Sequence, residues 1–246
     1  MRRRETGDRD AYGHEIWDFY NKLPAYEIIE RDDGFIDTST GPVAYFSEFE
    51  NWLRIEKAAI KFAKGRVLDV GCGAGRVAIY LQNEKELDIL GIDNSPLAIK
   101  VSKLRGLKKA KLLDFHKINF PPTSFDTVVM FGNNFGLFAN PALAKKLLKK
   151  LHRMTSDDAT IICQSVDPYK TDNPDHLAYQ RRNKKIGKLG GEIRIRARYR
   201  MFIGSWFEYL FVSKEEMKEI VMGTDWKIGR FFDDAERPFY IAMISK

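Results

Sequence analysis

Apolar residues recur with two periods, and the central part of the chain alternates between them. Ser95-Pro96 and Asn140-Pro141 open two stretches of helical pattern, since serine and asparagine cap helices and proline suits a first turn. Short apolar runs typical of buried strands lie between the helical stretches, at residues 66–70, 87–92, 109–113, 125–131 and 159–166. Strands separated by helices of this length indicate βαβ units, so we predict a doubly wound α/β fold around a mostly parallel sheet.

The pattern changes after the fifth apolar run. Residues 167–212 break the alternation, and within them 192–200 alternate apolar residues with arginine, the two-residue period of a strand. Ser213 and Glu216 have the spacing of a capping box and predict a helix. Residues 226–232 and 239–244 then predict two closing strands. We therefore expect a seven-stranded, mostly parallel sheet that ends in an antiparallel hairpin, with 167–212 as an inserted antiparallel segment.

The N-terminal part is helical in pattern. Apolar spacing predicts a helix within residues 11–30, a loop over 31–42 and an amphipathic helix over 45–63. We divide the chain into an N-terminal segment, 1–45, and a main domain, 46–246, that carries the insertion.

Composition narrows the class of protein. A chain of 246 residues with 44% apolar content can bury a sizeable core, and no apolar run approaches the about 20 residues that span a bilayer. Cys72 and Cys163 are too few for a disulfide scaffold, and the four histidines share no metal-ligand spacing. We expect a cytoplasmic protein with no metal and no membrane partner. The formal charge of +7 is a weak signal for an anionic partner.

A glycine-rich turn after the first central strand is the most informative segment. Gly71, Gly73 and Gly75 allow unusual backbone angles there and let a ligand approach the main chain. Arg76 stands where the dinucleotide fingerprint needs its third glycine, and no Gly-Lys-Ser/Thr follows. Asp69 favours a cation over a pyrophosphate, since unit charges about 4 Å apart interact by about 4 kcal/mol at an effective dielectric of 20.

Two further acids follow at strand ends. Asp93 ends the second strand, where a carboxylate can accept both hydroxyls of a ribose. Asp114 ends the third, where it can accept from an exocyclic amine while Phe115 covers a base. Any one of these acids could simply cap the next helix. Together they favour a ligand with a ribose, an adenine-like base and an ammonium or sulfonium end.

As a set, residues 67–76, 91–95, 113–115 and 125–133 resemble the class I S-adenosylmethionine-dependent methyltransferases. The resemblance covers about residues 60–166 and implies S-adenosylmethionine as the cofactor. It implies that Asp69, Gly71 and Gly73 line the methionine end, that Asp93 holds the ribose, and that Asp114 and Phe115 hold the adenine. Phe131 and Gly132 are implied near the reacting methyl. The expected cofactor contacts are Asp69, Gly71, Cys72, Gly73, Gly75, Arg76, Asp93, Asn94, Asp114, Phe115, Phe131, Gly132 and Asn133.

The residues after the fourth strand bear on the acceptor. The Asn/Asp-Pro-Pro-Tyr/Phe motif of enzymes acting on base amino groups is absent there, as is the Pro-Cys of cytosine-C5 enzymes. Residues 132–135 are similar to the Gly-Asn-Ser-Phe stretch of glycine N-methyltransferase-type enzymes, which implies that Asn133 faces the donor and Asn134 the acceptor. Both asparagines fit equally well as turn residues. We predict methyl transfer to a nitrogen or oxygen of a small molecule and assign no catalytic residue.

N-terminal helices commonly cover the donor site in this family, which implies a lid built from residues 1–45 and the insertion 167–212. Trp17 and Tyr20 are candidate substrate contacts on that lid, although aromatic residues at helical spacing more often serve packing than a pocket.

A basic stretch supplies the main alternative. Residues 181–200 hold nine lysines and arginines against one acid, Glu192. Three interpretations are open. The stretch is a charged solvent face that protects an edge strand, or it is a site where Arg198 or Arg200 binds a carboxylate or phosphate. The third is a surface that binds along RNA. The last would make the protein an RNA methyltransferase. An NAD-dependent oxidoreductase is disfavoured by Arg76 and Asp69.

Overall fold

Two β-sheets organise the chain, and the computed structural model describes residues 9–38 and 41–246. Within these residues, helices α1–α8 span Ala11–Tyr20, Pro42–Tyr45, Arg54–Ala59, Arg76–Glu84, Pro96–Leu104, Pro141–Met154, Pro174–Lys185 and Lys214–Val221. Strands β1–β12 span Ile28–Arg31, Ile36–Asp37, Arg66–Val70, Asp88–Asp93, Ala110–Leu112, Phe125–Met130, Thr155–Val166, Glu192–Tyr199, Phe202–Ile203, Phe207–Leu210, Lys227–Asp233 and Phe239–Ser245. Short 3-10 turns occupy Phe49–Asn51, Ile60–Phe62, Phe115–Lys117 and Asn134–Phe138.

The larger sheet has seven strands in the order β11-β12-β7-β6-β3-β4-β5. The five strands from β5 to β7 are parallel, and β12 and β11 add an antiparallel hairpin at one edge. This confirms the predicted fold class. Val67 pairs with Ile89 on one side and with Thr127 on the other, so β3, β4 and β6 end at the same edge of the sheet.

Helices cover both faces of this sheet because its strand residues alternate between two apolar clusters. Leu68 and Val70 pack with α6 and α8, whereas Val67 packs with α3 and α4 on the opposite face. The predicted capping box is present at α8, where Ser213 Oγ accepts from the backbone of Glu216 and the Glu216 carboxylate accepts from the backbone of Ser213.

The smaller sheet is antiparallel, in the order β10-β8-β1-β2 with β9 paired to β8. It joins the N-terminal segment to the insertion, since Ile29 on β1 pairs with Ala197 on β8. We call α1 together with this sheet the cover. The division of the chain into a lid and a main domain stays a prediction, and residues 1–8 and 39–40 of that lid lie outside the described residues.

Three expected elements differ in the structure. The helix predicted within 11–30 ends at Tyr20, because Pro24 follows and Ile28-Ile29 join a strand. The helix expected over 45–63 is broken, because Trp52 and Leu53 are extended and α3 begins after them. Helix α7 lies where no helix was expected; its buried residues include Gln180 and Asn183, which hide the apolar period.

Helix α1 is fixed across the start of α5, next to the strand ends. The Asp10 carboxylate caps α1 by accepting from Gly13 N at 2.9 Å, and it also accepts from Ser95 Oγ at 2.8 Å and from Leu97 N at 3.2 Å. Ile16 packs with residues of α5 in one apolar cluster. The cover therefore lies over the carboxyl-terminal edge of the larger sheet. None of the helices in the described part of the chain has the length and apolarity that a membrane span requires.

Candidate active site

The glycine turn after β3 has a backbone that only glycine adopts easily. Gly71, Gly73 and Gly75 have φ angles of 69°, 52° and 83°. Asn134 Nδ2 donates to the carbonyl oxygens of Val70, at 2.9 Å, and Gly71, at 3.1 Å. A Cβ on Gly71 would lie 2.5 Å from that amide nitrogen. Asn134 thus holds the glycine turn through its amide nitrogen, and its predicted contact with the acceptor stays a prediction.

Asp69 is buried at the end of β3 with 3% of its surface exposed. Its Oδ2 atom has no hydrogen-bond partner. Burial raises the pKa of Asp69 to about 7; the charge of Arg76 opposes this rise and that of Asp93 adds to it. An orphaned carboxylate oxygen beside the turn fits a ligand that brings a hydrogen-bond donor or positive charge.

Asp93 is also buried but is well supplied with donors. It accepts from Gly73 N and from Ser95 N, each at 2.9 Å. Burial raises the pKa of Asp93 to about 6, and the two backbone donors oppose the rise. A carboxylate offers about four lone-pair sites, so acceptor capacity remains for the hydroxyls of a ribose. The neighbouring Asn94 is exposed.

The third strand end is built differently. Asp114 caps the 3-10 turn after β5 by accepting from His116 N at 2.9 Å, and Lys117 Nζ lies 3.6 Å away. Phe115 is buried, with its ring centroid 5.3 Å from that of Phe138. Asp114 therefore caps this turn with one oxygen, and its predicted contact with the adenine stays a prediction.

Arg76 is paired with an acid of a neighbouring helix, and Cys72 is buried. The Arg76 guanidinium binds the Glu56 carboxylate through two contacts, of 2.7 and 3.1 Å, and lies 4.5 Å from the Trp52 ring centroid. This pair ties α4 to α3, and the charge of Arg76 also acts on Asp69; its predicted contact with the cofactor stays a prediction. Burial raises the pKa of Cys72 well above its usual value, which disfavours the reactive thiolate.

Open space adjoins the end of β6. Phe131 is buried, with its ring centroid 6.3 Å from that of Trp52. Gly132 has a φ of 68°, its N–H donates to Gln164 Oε1 at 2.8 Å, and a Cβ on it would meet no atom within 4 Å. Asn133 Oδ1 is buried without a partner, and the Asn133 carbonyl accepts from the Tyr209 hydroxyl at 2.8 Å.

The cover carries two side chains, Tyr12 and Glu15, that are not among the predicted site residues, and Tyr12 reaches the turn. Tyr12 Oη lies 2.7 Å from the position of a Cβ on Gly73, and Glu15 is fully buried. Trp17 and Tyr20 instead pack in the cluster against α5, with Lys100 Nζ 3.9 Å from the Trp17 ring centroid. The sequence did hold a signal for this pair: Tyr12 and Glu15 are three residues apart and therefore share one face of a helix.

The arginines of β8 are held by acids of the cover. Arg196 and Arg198 contact Glu30 at 2.8 and 3.3 Å, and Arg200 contacts Asp18 at 3.3 Å. Arg200 also donates to the carbonyl of Pro24 at 3.0 Å. The arrangement favours a structural role for Arg198 and Arg200 over capture of a substrate anion.

Comparison with known proteins agrees with this geometry. Residues 67–158 match the family described as methyltransferase domain. The structure is similar to a SAM-dependent methyltransferase from Bacteroides fragilis in complex with S-adenosyl-L-homocysteine, with a TM-score of 0.82, 25% identity, and coverage of 98% of this chain and 96% of that one. The chain carries a methyltransferase domain within the fold of the class I S-adenosylmethionine-dependent methyltransferases.

Two relatives show how far sequence similarity extends for this methyltransferase. It is 28% identical over 152 residues to phosphoethanolamine N-methyltransferase 3 of Arabidopsis thaliana, covering 60% of this chain and 29% of that protein. It is 27% identical over 178 residues to the ubiquinone/menaquinone biosynthesis C-methyltransferase of Citrifermentans bemidjiense, covering 69% and 73% respectively. The chain thus spans under a third of the Arabidopsis relative.

The residues present fit the cofactor of this enzyme. S-adenosylmethionine carries an ammonium, a sulfonium and a ribose, and the strand ends offer the orphaned Asp69 Oδ2, the remaining lone pairs of Asp93 and the open space at Gly132. In the described part of the chain, no group of three or more His, Cys, Asp or Glu side chains is placed to hold a metal ion.

Proposed function

We propose that this methyltransferase transfers the methyl group to a nitrogen or oxygen of a small molecule bound between the glycine turn and the cover. The carrying observation is that the cover brings Tyr12 and Tyr209 against the strand ends, while Glu15 is buried on the same helix as Tyr12. The proposal places a compact acceptor beside these side chains, where exclusion of water favours the displacement.

Positioning is the main task of the protein in this proposal. The cofactor supplies a methyl on a sulfonium, which leaves as a neutral thioether. Holding the two reactants in line can supply about 7–11 kcal/mol of the barrier. Asp69, Gly71 and Gly73 would hold the methionine end, and Asp93 the ribose. Asn134 fixes the turn that carries these groups.

Ion pairing of the arginines at β8 counts against an RNA surface in this part of the basic stretch. An RNA-tracking surface needs free cationic side chains to displace counterions. Arg196, Arg198 and Arg200 instead contact Glu30 and Asp18. The name of the Arabidopsis relative, a phosphoethanolamine N-methyltransferase, also supports a small acceptor with a reactive nitrogen.

A methyl-transfer assay on fractionated cell extract tests the proposal. With tritiated methyl donor, we expect label in the small-molecule fraction and none in RNA or protein. Label in RNA, with steep salt dependence of binding, would establish the alternative. A thermal-shift measurement tests the nucleotide site separately: S-adenosylhomocysteine should stabilise the protein and NAD should not.

A further inference from the structure

Five side chains from the cover, from α2 and from the residue before β1 lie close to one another near the glycine turn. We call them the Glu15 cluster: Tyr12, Glu15, Glu27, Tyr45 and Tyr209. The Tyr45 hydroxyl donates to Glu27 Oε1 at 2.6 Å, and the rings of Tyr12 and Tyr45 are 5.3 Å apart. The charge of Glu27 acts on Glu15, Tyr45 and Tyr209. The Glu15 cluster therefore combines two carboxyl groups and three phenols.

Glu15 lacks any hydrogen-bond partner. It is 0% exposed, and neither Oε1 nor Oε2 has a partner. The neighbouring charge that acts on it is that of Glu27, which is also negative, and burial with this repulsion raises the pKa of Glu15 to about 10. A buried carboxyl without donors is costly. A ligand that brings N–H donors and positive charge would remove that cost.

The Glu15 cluster lies where an acceptor must bind. Tyr12 reaches the turn, with Oη 2.7 Å from the position of a Cβ on Gly73. Tyr209 reaches the end of β6, where its hydroxyl donates to the Asn133 carbonyl next to the open space at Gly132. The cluster thus connects the two segments of the main sheet between which the methyl is delivered.

We propose that Glu15 and Glu27 bind the amino group of the acceptor, so that the substrate class is small amines. This inference rests on the proposed function and names its acceptor atom. Binding of the ammonium displaces to solvent the proton that the buried Glu15 carboxyl otherwise holds. The resulting carboxylate takes one proton from the ammonium, and the freed nitrogen lone pair attacks the methyl carbon. The N–C bond forms as the S–C bond breaks, the bonding pair stays on sulfur, and the products are a methylammonium and the neutral thioether S-adenosylhomocysteine.

The test follows the chemical class of the labelled product. The protein is incubated with tritiated methyl donor and a whole cell extract, and RNA and protein are then separated from the small molecules. Charcoal removes the adenosyl donor from the small-molecule fraction, and the rest is passed over a cation-exchange resin at neutral pH. We expect the label to be retained as an amine. Label in the flow-through overturns the amine assignment and leaves the proposed function standing. Label confined to RNA or protein, or found nowhere, overturns the proposed function itself.

Variants then test the residues. Glu15→Gln and Glu27→Gln should each lower the retained label about 100-fold, because a buried ammonium loses a carboxylate partner. Glu30→Gln is the matched control, since Glu30 is three residues from Glu27 and is paired with Arg196. It should leave the retained label unchanged.

Binding of S-adenosylhomocysteine, measured by calorimetry, separates an acceptor role from a donor role or a misfolded variant. Glu15→Gln and Glu27→Gln should bind it with the affinity of the parent protein. Unchanged label in both variants, or loss of label together with loss of this affinity, would overturn the proposal.

Discussion

Asp93 at the end of β4 and Glu15 on α1 are both buried carboxyl groups next to the glycine turn, yet they are held in opposite ways. Asp93 accepts two backbone hydrogen bonds of 2.9 Å, from Gly73 and Ser95. Glu15 accepts none. Backbone donors are fixed by the fold, so the strand ends are organised before any ligand arrives. The cover leaves its carboxyl group uncompensated, and on our account the acceptor supplies the missing charge.

The largest effect is expected where the two regions touch. In Gly73→Val, the new side chain meets the Tyr12 hydroxyl, 2.7 Å from the Cβ position, on a backbone with φ of 52°. We expect affinity for S-adenosylhomocysteine, measured by calorimetry, to fall by about 100-fold or more. Gly187→Val is the control, because Gly187 has φ of 77° with open space around its Cβ position. Equal losses in both variants would assign the effect to backbone strain alone.

The second prediction concerns stability against pH. Glu15 faces Tyr12 on its own helix, Glu27 before β1 and Tyr45 on α2, and its pKa rises from 4.5 in a solvated chain to about 10 in the fold. The folded protein therefore holds a proton that the unfolded chain releases, so stability from this group is complete below pH 4.5 and is lost as pH rises towards 10.

Glu15→Gln removes this dependence. We expect the variant to melt about 10–20 °C above the parent protein at pH 8 and at nearly the same temperature at pH 5. Each pH unit above 4.5 costs the parent up to about 1.4 kcal/mol, or up to about 5 kcal/mol at pH 8, and 1 kcal/mol shifts the melting temperature of a chain of this size by about 2–4 °C. Scanning calorimetry across that range measures the difference. A parent protein whose stability does not fall relative to the variant would contradict the account of Glu15.

The third prediction concerns Asn134, which holds the glycine turn at the strand ends. Asn134→Ala removes two hydrogen bonds, to the Val70 and Gly71 carbonyls, which are 2.9 and 3.1 Å long in the parent protein. Because each is worth about 1 kcal/mol, we expect the KM for S-adenosylmethionine to rise about 10-fold. Steady-state kinetics at saturating acceptor provides the measurement. A rise in the KM for the acceptor alone would support the predicted contact of Asn134 with the acceptor.

The smallest effect is expected on the outer face of the cover. Arg198→Ala removes a partly exposed contact of 3.3 Å to Glu30, which Arg196 also contacts. Exposed ion pairs contribute about 0–1 kcal/mol, so methyl-transfer rate and melting temperature should change little, with the rate within about 2-fold. A large loss of rate, with the melting temperature unchanged, would indicate capture of a substrate anion by Arg198.

The difference between the strand ends and the cover also explains which residues could be predicted from the sequence. Asp69 and Asp93 each end a strand of the same βαβ unit, so short-range pattern was enough to place them at one edge of the sheet. The cover depends on the pairing of Ile29 with Ala197, far apart in the chain, which no local period shows. Glu15 was missed because a single acid in an amphipathic helix normally faces solvent. The ion pair of Arg76 was not predicted because its partner, Glu56, lies outside the motif.

The central claim is that Asp69 binds the methyl donor and Glu15 binds the acceptor. Calorimetric titration of S-adenosylhomocysteine into Asp69→Asn and Glu15→Gln tests it most directly. We predict that Asp69→Asn weakens binding about 10- to 100-fold, as expected for loss of a charged hydrogen-bonding partner, and that Glu15→Gln binds within about 2-fold of the parent protein. Equal weakening by both variants, or unchanged affinity in Asp69→Asn, would contradict the account.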